Sequence, residues 1–128
     1  MIDAEQVRAA LARHQRVDMP ALPGRTNHLR SGVVVPLIWD AGRLSCVATL
    51  RSDTLRNHAG EVCFPGGRPE PDDDDLVQTA LREANEELGI EGAEILGALS
   101  TIPLYTSDYR LCPFVAAVPR QDLTPNPA

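Results

Sequence analysis

Apolar residues recur at helical spacing near the start of the chain, where Ala4, Val7, Ala10 and Leu11 fall on one face of a helix expected over residues 3 to 16. Pro20, Pro23 and Gly24 cannot continue that helix, so a linker is expected behind it. The pattern then turns to β-branched and apolar runs, GVVVPLIWD from Gly32 and LSCVATL from Leu44, separated by Asp40, Ala41, Gly42 and Arg43. Two such runs around turn-forming residues predict a hairpin, and Pro36, which lacks an N–H, predicts an edge or a bulge within it. Residues 51 to 72 are dense in Arg, Gly and Pro and read as a long ordered loop. From Asp74 or Asp75 to Leu88 the helical period returns, with aspartates expected in the first turn and Gly89 placed as a left-handed cap. Strands are expected around Ala93 to Thr101 and Leu111 to Val118, with Thr106, Ser107 and Asp108 as the loop between them. The ending, PRQDLTPNPA, is polar and proline-rich and offers no second covering helix. Part of a sheet face or edge is therefore expected to stay exposed, which would favour a homodimer.

Composition narrows the class. A chain of 128 residues with 43% hydrophobic content suits one domain, here divided into a helix and linker over 1–31 and a main domain over 32–128. No apolar run approaches the roughly 20 residues that cross a bilayer, so no membrane partner is expected. The net charge of −6 argues against nucleic acid, since neutralising many phosphates needs a surplus of bases. A small anionic ligand fits better, because several arginines gather ahead of the glycines at 66 and 67. The cysteines Cys46, Cys63 and Cys112 show neither a CxxC pair nor a nearby His at metal spacing, and read as buried or half-buried thiols in a reducing, cytoplasmic setting.

The chemistry concentrates on the helix LVQTALREANEELGI. Leu76, Ala80, Leu81, Ala84 and Leu88 trace its apolar stripe, while Glu83 and Glu87 fall within about 20° of Leu76, with Glu86 beside them on the polar side. Like charges at i, i+4 repel by a few tenths of a kcal/mol, roughly, so helix stability alone does not select this cluster. A hard divalent cation such as Mg²⁺ or Mn²⁺ reverses the sign, because clustered carboxylates and substrate phosphates share its shell. The plainer alternative is a solvated acidic helix end in which Arg82 pairs with Glu86. The preceding FPGG at 64 to 67 favours the metal, since glycines let the backbone approach an ion or a phosphate closely.

Arg82, Glu83, Ala84, Asn85, Glu86, Glu87, Leu88, Gly89 and Ile90 resemble the second half of a Nudix box at every specified position. The first half departs: the stretch from Gly67 to Arg82 is one residue longer than usual, and Glu70, Asp73 or Asp74 could fill its acidic position. Upstream, Thr49, Arg51, Ser52, Arg56, Gly60, Phe64, Pro65, Gly66 and Gly67 resemble the second motif of the coenzyme A pyrophosphatase branch, with Val47 and Ala48 replacing two leucines. The resemblance covers residues 47 to 90. It implies an α/β/α sandwich around a mixed sheet, and a Mg²⁺- or Mn²⁺-dependent hydrolase that cleaves coenzyme A to 4′-phosphopantetheine and adenosine 3′,5′-bisphosphate. Other nucleoside diphosphate derivatives such as ADP-ribose, or a module that senses a nucleotide without cleaving it, are the alternatives. By the same resemblance Glu83, Glu87, Glu86 and the Gly67 carbonyl are metal ligands. Glu86 and Arg82 are then the catalytic pair, Arg82 orienting Glu86, and Arg51, Arg56, Ser52, Gly60 and Phe64 contact substrate. His58 is read as making a local hydrogen bond, and the general base stays open between the box and a later loop. The family usually continues past the position of Ala128, so a domain truncated at its C-terminus is expected.

Overall fold

The computed structural model describes residues 2–50 and 62–125. Helix α1 (Ala4–Arg13) begins at Asp3, whose side chain accepts from the Gln6 N–H while the Gln6 side chain accepts from the Asp3 N–H. Strand β1 (Leu29–Asp40) turns through Ala41 and Gly42 into β2 (Arg43–Cys46), with Asp40 opposite Arg43. The expected hairpin is therefore present, and its tight turn places Ala41 and Gly42 at positive φ, 49° and 79°. Strands β3 (Thr49–Leu50) and β4 (Val62–Cys63) form a small two-stranded sheet, and β5 (Gly66–Gly67) pairs with β1. Helix α2 (Leu76–Leu88) is followed by β6 (Glu94–Ala98), β7 (Ile102–Pro103) and β8 (Tyr109–Ala117).

The main sheet is six-stranded and mixed, in the order β2-β1-β8-β6, with β5 added to β1 and β7 to β8. Its centre is the parallel pair β1 and β8, in register from Leu29 opposite Tyr109 to Leu37 opposite Ala117. Pro36 lies inside this central strand, which corrects the edge or bulge expected from it. The Val34 N–H donates to the Pro65 carbonyl on the β5 side, so the Pro36 nitrogen two residues on faces that side too. It falls between the stretch paired with β5, Gly32 and Val33, and the stretch paired with β2, Leu37 to Asp40. No ladder bond is lost there.

Residues two apart on a strand share a face, and Val34, Ile38, Phe114, Ala116 and Val118 accordingly meet Ala80, Ala84, Leu88 and Ile90 from α2 and the residues just after it. The small side chains Ala80 and Ala84 are fully buried and bring the helix close. The closest approach is at Gly32, where a Cβ would strike the Leu76 carbonyl and sit 3.0 Å from the Ala80 nitrogen. The apolar stripe read from the sequence is thus the buried face, and it fixes the rotation of α2 and the direction of its glutamates.

Contacts on the far side and at the ends add to the sequence reading. Helix α1 packs against β6: a Cβ at Gly97 would lie 2.6 Å from the Leu11 Cβ, and Arg8 pairs with Glu94. The segment after it is pinned to residues 99–101, with the Thr101 N–H donating to the Val17 carbonyl and the Met19 N–H to the Thr101 hydroxyl. The tail also packs, since Leu123 joins the core and the Thr124 N–H donates at 2.8 Å to the Leu88 carbonyl, one of the orphan acceptors at the end of α2. Of the cysteines Cys112 is buried, Cys63 half-buried and Cys46 exposed, the last at odds with the buried or half-buried setting expected for all three. No helix among the described residues is long and apolar enough to cross a membrane.

Candidate functional site

The aspartates expected in the first turn of α2 lie ahead of it. Asp75 is the N-cap and accepts from the Gln78 N–H at 2.9 Å, and Asp74 accepts from the Gln78 side chain. Asp73 folds back under the helix, where its side chain is 6% exposed and every oxygen is engaged. It receives the Thr79 hydroxyl at 2.9 Å, the Glu70 N–H at 2.9 Å, and Arg82 through Nε to Oδ1 at 3.1 Å and Nη2 to Oδ2 at 3.0 Å. The paired arrangement of guanidinium and carboxylate holds the Asp73 carboxyl down at about 2, with the Arg82 hydrogen bonds as the largest cause. Asp73, rather than Glu70 or Asp74, is therefore the acid that anchors Arg82.

Arg82 is the hub of the site. Its Nη1 lies 3.1 Å from Glu83, 3.2 Å from Glu86 and 3.4 Å from Glu70, and its Nη2 also donates to the Arg68 carbonyl at 3.0 Å. The contact with Glu86 is the i, i+4 relation expected from the sequence, but Asp73 makes the stronger, two-point contact and sets where the guanidinium lies. Asp73 also raises the pKa of Arg82 above its already high value, so its charge is permanent.

Glu83 is brought to Gly67. A Cβ on Gly67 would lie 2.5 Å from Glu83 Oε1, so only glycine leaves that space to the carboxylate. Gly67 is held there because β5 pairs with β1, Gly67 opposite Gly32 and Gly66 opposite Val33. The glycine pair read as loop is thus a short strand that sets the distance between backbone and carboxylate. Glu87 is half-buried one turn on from Glu83, and Glu86 is largely exposed. Phe64 is 40% exposed two residues before the glycines, whereas Arg51, Ser52, Arg56, His58 and Gly60 lie outside the described residues.

Among the described residues no three acidic, imidazole or thiol groups converge on one point as a finished metal cage. The donor chemistry nevertheless suits a hard divalent cation. Four carboxylates, Glu70, Asp73, Glu83 and Glu86, surround the single guanidinium of Arg82, leaving a local surplus of negative charge on oxygen donors. Asp73 is fully occupied by its contacts, whereas Glu70, Glu83 and Glu86 share the Nη1 side of Arg82.

The fold thus brings together a glycine strand edge, a carboxylate seated against it and an arginine-braced acidic helix. Residues 28–127 match the NUDIX domain, and the chain belongs to that family. It is similar to the uncharacterized Nudix hydrolase NudL of Yersinia pestis (strain Pestoides F), 44% identical over 93 residues, which cover 70% of this chain and 45% of the relative. The chain thus spans about half the length of the curated relatives it matches. Among solved structures it resembles the NUDIX domain of Shewanella oneidensis NrtR complexed with ADP ribose, with a TM-score of 0.63, 20% identity, and coverage of 100% of this chain and 78% of that one. It also resembles the C. elegans Ap4A hydrolase binary complex, with a TM-score of 0.62, 18% identity, and coverage of 77% and 72%. At these identities the likeness to solved structures is one of fold, in agreement with the mixed sheet and the two helices described above. Nudix hydrolases generally use divalent metals.

Proposed function

We propose that this chain carries the catalytic domain of a Mg²⁺- or Mn²⁺-dependent pyrophosphohydrolase that acts on a small nucleoside diphosphate derivative, coenzyme A foremost. The observation that carries the reading is the seating of Glu83 against Gly67 with Arg82 locked behind it by Asp73. That arrangement spends a buried ion pair and two glycines on holding one carboxylate at a strand edge, which helix stability does not require.

Glu83, Glu86 and Glu87, with the Gly67 carbonyl, would hold the cation. When bound there, a divalent ion offsets charge on the diphosphate and lowers the pKa of a coordinated water. The chain's own residues do the rest. Asp73 fixes the guanidinium of Arg82, and Arg82 in turn restrains Glu83 and Glu86, so the carboxylates are oriented before substrate arrives. Glu86, the more exposed of the two helix carboxylates on Arg82, would accept a proton from an attacking water.

Coenzyme A is favoured by the upstream motif from Thr49 to Gly67, of which Thr49, Phe64, Pro65, Gly66 and Gly67 are described here. The test is side-by-side turnover of coenzyme A, ADP-ribose and Ap4A with Mg²⁺ and with Mn²⁺, followed by product identification. Release of 4′-phosphopantetheine and adenosine 3′,5′-bisphosphate at the highest kcat/KM supports the reading. Preference for either other substrate moves the assignment within the family, and tight binding without turnover of any of the three makes the chain a sensing module.

A further inference from the structure

A diphosphate bound beside Glu83 gains from protein cations as well as from a metal, and Arg82 is not one of them, because its donors are taken by Asp73, Glu70, Glu83, Glu86 and the Arg68 carbonyl. Arg68 is in a different state. It is exposed, no carboxylate among the described residues pairs with its side chain, and its guanidinium lies over the Tyr109 ring, 5.0 Å from the centroid. A cation–π contact with a ring face holds a guanidinium in place without using its N–H donors. Tyr109 is itself fixed, as the first residue of β8 and opposite Leu29 in the parallel ladder.

The position is set by the same strand that seats Glu83. Gly67 faces α2, so the next side chain along turns to the other face, where Tyr109 lies, and the Arg68 backbone is tied to Arg82 at 3.0 Å. Among the described residues β5 pairs only with β1. A diphosphate laid along β5 would have carboxylates on one side and the Arg68 guanidinium on the other.

We propose that Arg68 binds a phosphoryl oxygen of the substrate's diphosphate, with Tyr109 as the positioning residue that holds its guanidinium over the ring. The proposal rests on the function proposed above. Its test reads ligand binding separately from turnover, with the full chain and the variants Arg68→Ala, Arg68→Lys, Tyr109→Phe and Tyr109→Leu. Calorimetric titration with ADP in Mg²⁺ is expected to show Kd raised about 10- to 100-fold in Arg68→Ala, the loss of one charge-assisted contact. Arg68→Lys should recover part of that loss. Tyr109→Leu should weaken binding by a smaller factor than Arg68→Ala, and Tyr109→Phe, which keeps the ring, should weaken it less than Tyr109→Leu. With coenzyme A as substrate, both Arg68→Ala and Tyr109→Leu should raise KM far more than they lower kcat. Equal ADP affinity in the wild type and Arg68→Ala, or no ADP binding by the wild type, overturns the proposal. Arg68-dependent ADP binding without coenzyme A turnover upholds it and overturns only the choice of substrate.

Discussion

Among the described residues, two clusters of arginine and carboxylate invert each other's charge balance. Around Arg82 one guanidinium faces four carboxylates, and at the N-terminal arm one carboxylate, Asp18, faces two guanidiniums. Asp18 Oδ1 accepts from Arg110 at 2.7 Å and from the Thr101 hydroxyl at 3.0 Å, and Oδ2 accepts from Arg30 at 2.7 Å. Arg110 also donates to the carbonyl of buried Asn27, whose amide reaches the carbonyls of Leu104, Ser107 and Tyr109. There the spare donors end on backbone oxygens of the same chain, so the cluster is closed and acts as a clasp. The Arg82 cluster keeps more carboxylate than its one cation can neutralise, so it remains open to a further cation. Charge surplus, more than the number of ion pairs, separates a site from a strut.

The comparison is broken most severely at Glu83. Glu83→Gln, and likewise Glu87→Gln, is expected to lower Mg²⁺-dependent kcat by about 100-fold or more while far-UV spectrum and melting temperature stay near those of the wild type, since each is a metal ligand in the proposed function and lies outside the core cluster. Wild-type turnover in either variant would remove these residues from the metal site. Next is Gly67→Ala, whose new methyl would occupy the space of the Glu83 carboxylate. Because the obstacle is the end of a side chain, the fold should survive and kcat should fall about 10- to 100-fold, as for a displaced ligand. An unchanged kcat would mean that Glu83 works from another position.

Asp73 sharpens the comparison through pH. Its folded pKa is depressed to about 2 by the Arg82 hydrogen bonds, so its contribution to stability is complete above the ordinary carboxylate range near 4 and is lost as pH falls toward 2. Asp73→Asn should melt lower than the wild type at pH 7, and the gap should close between pH 4 and pH 2. Its kcat should fall as well, because Arg82 loses its anchor. Asp18 is depressed in the same direction by Arg30, Arg110 and Thr101, so it belongs to the same acid limb. The smallest effect on chemistry is expected from Asp18→Asn, which should lower the melting temperature and raise amide exchange at Val17, Met19 and Thr101 with kcat retained. A large loss of kcat there would join the two clusters into one unit.

Much of this was legible in the order of residues. The α2 stripe, the Gly89 cap at φ 69° and the hairpin turn are local properties, and they appear at the positions their periodicity marks. Pro36 misled because the ladder that spares it is built from two separate strands, a tertiary fact. The packing of Leu123 and Thr124 was hidden for the same reason: a polar tail does not reveal that the end of a helix has carbonyls to offer it. Asp73 could have been found. Thr79 sits beside Ala80 on the buried side of the helix, and a hydroxyl at such a position needs an acceptor, which the aspartates just upstream can provide. The Asp18 clasp carried no such sign, because its partners are scattered from Asn27 to Arg110 and only the β1 to β8 pairing unites them.

That pairing also sets a timetable. Leu29 and Tyr109 are neighbours in the sheet but are separated by most of the chain, and parallel strands need a long crossover between them. During synthesis at about 5–20 residues per second, β1 and β2 leave the ribosome several seconds before β8. In that interval the hairpin can close on one side, while the long edge of β1 that β8 will cover, with its Val-Val-Val run, faces other chains. The strand at the heart of the finished sheet is thus an aggregation hazard in the nascent chain, and a chaperone that delays contact until β8 emerges should raise soluble yield.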